Sequence, residues 1–91
     1  MITAIVMVHT AADRIPEAAQ AIADLDGVSE VYSCAGDVDL VALVRVREHS
    51  QIADVVTQHI SKISGVARTA THIAFRSYSS YDTDAGFEVG E

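Results

Sequence analysis

Cysteine, positive charge and long apolar runs are all in short supply in this 91-residue chain. Each shortage removes a class of protein. The single cysteine, Cys34, has no partner for an internal disulfide and no Cys or His at ligand spacing, which fits a reducing compartment. Its place in a strand reads as a small hydrophobe rather than a nucleophile. Six basic residues against thirteen acidic ones leave a formal charge of −7. The arginines (Arg14, Arg45, Arg47, Arg68 and Arg76) are scattered, so the positive footprint that direct nucleic-acid binding needs is missing. No apolar stretch approaches the roughly 18 residues of a membrane span. The start lacks a basic segment followed by an apolar one, so a cytoplasmic protein is expected. His9, His49, His59 and His72 fall on different elements without paired ligand spacing, which argues against a metal centre. No motif asks for a cofactor.

Apolar residues are what the chain has in abundance, at 49% of the sequence and a mean hydropathy of +0.24. Ile2 to His9 alternates β-branched and small apolar residues on both faces, the pattern of a buried strand. Pro16 suits the first turn of a helix, where an amide is dispensable, and Glu17 favours the positive helix start. Ile15, Ala18, Ala19, Ile22 and Leu25 follow at helical spacing until Asp26-Gly27 stops them. Val28 to Ala35 reads as a second strand, with Val31 and Ala35 on one face and Val28, Tyr32 and Cys34 on the other. Gly36-Asp37-Val38-Asp39 then turns the chain into Leu40 to Val46, where every residue but Arg45 is apolar, as in a central strand. Ile52, Val55, Val56, His59, Ile60 and Ile63 mark an amphipathic helix with His59 flanking its buried stripe, and Ser64-Gly65 ends it. Val66 to Arg76 alternates as a fourth strand.

Each helix is followed by Gly-Val, at Gly27-Val28 and Gly65-Val66, so a β-α-β unit repeats at an interval of 38 residues. Two right-handed crossovers joined by a hairpin give an α+β, ferredoxin-like βαββαβ fold: a four-stranded antiparallel sheet with two helices on one face. Both sheet faces are apolar and the helices shield only one, so a second copy is expected to pack against the other, as a homodimer. Residues 1–76 form the domain on this reading. Residues 77–91 form an acidic C-terminal tail whose Tyr78, Tyr81, Phe87 and Val89 either anchor it on a neighbouring subunit or remain in solvent.

The run from Gly36-Asp37-Val38-Asp39-Leu40 through an apolar strand and amphipathic helix to Ile63-Ser-Gly65-Val66-Ala-Arg-Thr69-Ala-Thr71-His-Ile73 resembles the effector-binding (RAM) domain of Lrp/AsnC-type regulators. The resemblance covers about residues 2–76. It implies a non-catalytic module that binds a free amino acid, pairs as a dimeric α+β barrel, and assembles further into octamers of four dimers with the effector held where dimers meet. By the same resemblance Gly36, Asp37, Val38 and Asp39 supply part of the pocket, with Thr69 and Thr71 as fourth-strand candidates. Full regulators of this kind begin with a DNA-reading helix-turn-helix. Here Met1 leads directly into the first strand, so a stand-alone RAM protein is expected.

The residues have plainer uses as well. Gly36 to Asp39 suits a hairpin turn without any ligand, and Thr69 and Thr71 are ordinary strand residues. As a binding site, turn amides near Gly36 meet a carboxylate and Asp39 meets an ammonium, which suits a small zwitterion. Two other functions compete. One is an assembly partner that associates with full-length Lrp/AsnC-type regulators and has no ligand of its own. The other is a small cofactor-free enzyme built as a dimeric α+β barrel, which needs a polar cluster among strands that offer mostly Val, Leu, Ala and Ile.

Overall fold

The computed structural model describes residues 1–80, so Tyr81, Phe87 and Val89 lie outside the described residues. Strand β1 (Ile2–Thr10) leads through a 3-10 turn (Ala12–Arg14) into helix α1 (Ile15–Ala23). Strands β2 (Val28–Ser33) and β3 (Leu40–Val46) form the hairpin. Helix α2 (His49–Ala53) continues through π-helical turns (Asp54–His59) and a 3-10 turn (Ile60–Lys62), and β4 (Val66–Ile73) closes the sheet. The strand order is β2-β3-β1-β4, antiparallel throughout, which is the ferredoxin-like arrangement.

Strand parity decides which residues meet the helices. Ala4, Val6 and Val8 of β1 and Leu40, Ala42, Val44 and Val46 of β3 share one core with Ala18 and Ile22 of α1 and with Ile52, Val55, Val56 and Ile60 of the second helical segment. The alternate residues Ile5, Met7, Val41 and Leu43 point to the other face, which carries no helix and leaves them partly exposed. The face is amphipathic at its borders, with Tyr32, Arg45, Arg68 and His72 around the aliphatic centre.

Five local readings need correction. A register shift between Val28 and Glu30 pairs Val28 with Val44 and Val31 with Ala42, so both valines face the helices rather than opposite sides. The extra residue of a bulge inverts parity at that point. Cys34 and Ala35 lie beyond the end of β2, in the turn. The second helical segment starts at His49, not Ile52. Gln51 Oε1 accepts from the amides of Arg47 and Glu48, each at 2.9 Å, and Glu48 completes the reciprocal capping box. His59, placed by spacing beside the buried stripe, is exposed, with Nδ1 3.0 Å from the Asp54 carbonyl. Finally, β4 ends at Ile73, although the Ala74 amide still donates to Thr3 O at 2.9 Å, and Phe75 beyond it is 98% exposed.

Candidate functional site

Asp39 organises the glycine-acid turn. Its carbonyl accepts from the Cys34 amide (2.9 Å), its own amide donates to Val8 O (3.1 Å), and its Oδ2 accepts from the Thr10 amide (2.9 Å). One residue thus ties the end of β2, the start of β3 and the end of β1 together. Beyond this clasp, Gly36 and Asp37 stand exposed and Val38 is half-buried. Gly36 has φ +129°, a conformation that L side chains rarely adopt, and open space around the position a Cβ would take. The amides of Gly36, Asp37 and Val38 donate to no backbone carbonyl of the described chain. The turn therefore presents main-chain donors and the Asp37 carboxylate on a rigid base, while one oxygen of Asp39 is already committed to structure.

Thr69 and Thr71 are not brought to this turn within one protomer. Thr69 pairs with Val8 and Thr71 with Val6, so both lie on the helix-bearing face, with β1 between them and β3. Two strand spacings, about 10 Å, separate Thr69 from Leu40.

Periodicity missed the other half of this end of the sheet. The Ala11 amide donates to Gly65 O at 2.8 Å, and Arg14 packs on Gly65. Three buried side-chain atoms on this connection, His9 Nδ1, Thr10 Oγ1 and Arg14 Nε, have no hydrogen-bond partner among the described residues. In sequence the segment reads only as a polar link. Its importance comes from the antiparallel register that sets Thr10 opposite Val66.

The most pronounced cleft, about 500 Å³, lies at the opposite end of the sheet, lined by Asp24, Asp26, Gly27, Val46, Asp54 and His59 among others. Asp24 there accepts from Gln20 Nε2 at 2.9 Å, and Gln51 is occupied by its capping role. No group of metal-binding side chains occurs among the described residues. The cleft and the glycine-acid turn are thus separate features.

A family model for the Lrp/AsnC ligand binding domain matches residues 3–83. The chain belongs to that family. Among curated relatives, the HTH-type transcriptional regulator LrpA1 of Halobacterium salinarum is 35% identical over 72 residues, covering 79% of this chain and 49% of its own length. The chain spans about half the length, or less, of the curated relatives it matches. Among solved structures, TTHA0845 from Thermus thermophilus is 48% identical with a TM-score of 0.82, covering 87% of this chain and 99% of that one. The Neisseria meningitidis transcriptional regulator NMB0573, solved as an L-Met complex, has a TM-score of 0.76 over 86% of this chain and 52% of its own. At 14% identity that likeness is one of fold. The Lrp/AsnC domain thus accounts for the βαββαβ topology and for the Gly36-x-x-Asp39 turn together. No helix among the described residues is long and apolar enough to cross a membrane.

Proposed function

We propose that this chain is a non-catalytic cytoplasmic module that binds a free amino acid at the Gly36–Asp39 turn and assembles through its open sheet face. The observation that carries the reading is the Asp39 clasp, which holds exposed amides and the Asp37 carboxylate in a fixed turn. A zwitterion needs donors for its carboxylate and an acceptor for its ammonium, and this turn offers both. The free oxygen of Asp39 is a second acceptor. Because Thr69 and Thr71 stand across β1 from the turn, they enter the pocket only from another copy. The pocket therefore belongs at a seam between dimers, consistent with an octamer of four dimers, and effector binding then shifts assembly.

Pairing of the open faces supports the dimer. The sheet is about 24 Å by about 19 Å, its centre is aliphatic, and a stable interface uses about 800 Å² from each partner. A second reading rests on the span of the match: the curated relatives carry as much sequence again outside the shared domain. Association with full-length regulators through the same faces is the function that length difference favours.

Calorimetry of the chain against the twenty amino acids, with oligomer size followed in parallel, tests the sensing role. At least one amino acid should give saturable heat that Asp37→Ala abolishes. Absence of heat from all of them, with no change in size, rules the sensing role out.

A further inference from the structure

Arg14 is the one basic side chain of six that is not exposed. Its stem lies flat on Gly65, where a Cβ would come within 2.6 Å of Arg14 Cβ and 3.1 Å of Cγ. Its Nε is buried and has no hydrogen-bond partner among the described residues, and neither Asp13 nor Glu17, its nearest acids in sequence, forms an ion pair with it. Thr10 Oγ1, on the same β1–α1 connection, is also buried without a partner. A guanidinium donor withdrawn from water costs free energy until an acceptor reaches it. In a chain with thirteen acidic residues and a charge of −7, an unmatched, sequestered cation stands out.

We propose that Arg14 is a carboxylate-binding position, separate from the Gly36–Asp39 turn. Its Nε–H and one neighbouring Nη–H donate in parallel, which matches the two oxygens of a carboxylate side-on. The site lies on the β4 side of β1, over Gly65, whereas the turn is clasped to β1 from the β3 side. The proposal therefore does not depend on the turn being an amino-acid site. Two carriers bring the same chemistry: the α-carboxylate of a free amino acid, or an Asp or Glu side chain of a second copy. The second also addresses a difficulty of assembly, since joining copies of charge −7 otherwise sets acid against acid.

The test uses the full chain labelled at arginine with nitrogen-15. The Arg14 Nε–H resonance should be protected from solvent exchange. If the free-ligand carrier is right, it shifts saturably with acetate and with amino acids, but not with amino-acid amides. If the second-copy carrier is right, the shift instead follows protein concentration. Arg14→Met keeps the stem over Gly65 and removes the fork. It should weaken amino-acid binding at least about tenfold under the first carrier, or raise the assembly dissociation constant at least about tenfold under the second. Arg14→Lys, which retains stem and charge without the planar fork, should fall between them and carries the comparison if Arg14→Met does not fold. An Nε–H signal that exchanges freely and ignores both carboxylates and concentration overturns the proposal. So does a folded variant with wild-type ligand affinity and wild-type assembly.

Discussion

Gly65 and Gly36 both occupy positive φ, at +95° and +129°, yet they differ in what surrounds them. A Cβ at Gly65 meets Arg14 Cβ at 2.6 Å, whereas one at Gly36 meets nothing within 4 Å. Gly36→Ala therefore bears only the backbone strain, about 1–2 kcal/mol. Gly65→Ala adds overpacking and should lose about 2–4 kcal/mol in urea denaturation. Equal losses would show that the Arg14 contact is absent. Tyr32 gives a pH-dependent readout on the open face. A hydrogen bond to Glu30, then the Glu30 charge and partial desolvation, hold its phenol above the ordinary value of 10.0, with the Arg45 charge opposing them. Since the folded value is raised, the contact's stabilisation is complete below pH 10.0 and is lost as pH climbs through the raised value. Glu30→Gln should bring the Tyr32 ionisation back down in an ultraviolet tyrosinate titration. An unchanged curve would mean that the two side chains do not meet. At this scale the turn was legible because glycine and aspartate have strong local preferences. Asp39 was legible only as a candidate: the sequence suggests an acceptor for an ammonium, and the fold commits one of its oxygens to the Thr10 amide instead.

The elements divide according to whether one period governs them. Strands β1 and β3 carry apolar residues on both faces at strand spacing, and their assigned spans match the sequence reading to within a residue. The second helical segment does not keep one period. Its buried residues Ile52, Val55, Val56 and Ile60 follow helical spacing, but the backbone passes from α to π to 3-10 turns beneath them. Apolar spacing fixes which side is buried without fixing the hydrogen-bond ladder. The start of the segment was written in the sequence as Glu48-x-x-Gln51, a capping signal that an apolar-stripe argument passes over. Gln51 Oε1 takes two amides at once, so Gln51→Ala should destabilise the chain by about 1–2 kcal/mol. Faster hydrogen exchange should appear at Arg47 and Glu48, and unchanged exchange there would contradict the cap. In β2 the bulge defeats any parity argument, because one inserted residue reverses the faces and no side chain announces it.

For the whole molecule, topology was legible from the repeated Gly-Val and the two crossovers, and membership of the Lrp/AsnC family agrees with it. The proposed site is another matter. One protomer keeps Thr69 and Thr71 across β1 from the Gly36–Asp39 turn. Residues that meet only between copies leave no spacing signal in one chain, and Arg14 shows this most plainly, since nothing local marks it as different from the exposed arginines. The account's central claim is that the uncovered sheet face, with Ile5, Met7, Val41 and Leu43 at its centre, is covered by a second copy. Sedimentation velocity at micromolar concentration tests this most directly. The expected result is a species of at least two 9.7 kDa copies with no monomer boundary, and a homogeneous single 9.7 kDa subunit would contradict it.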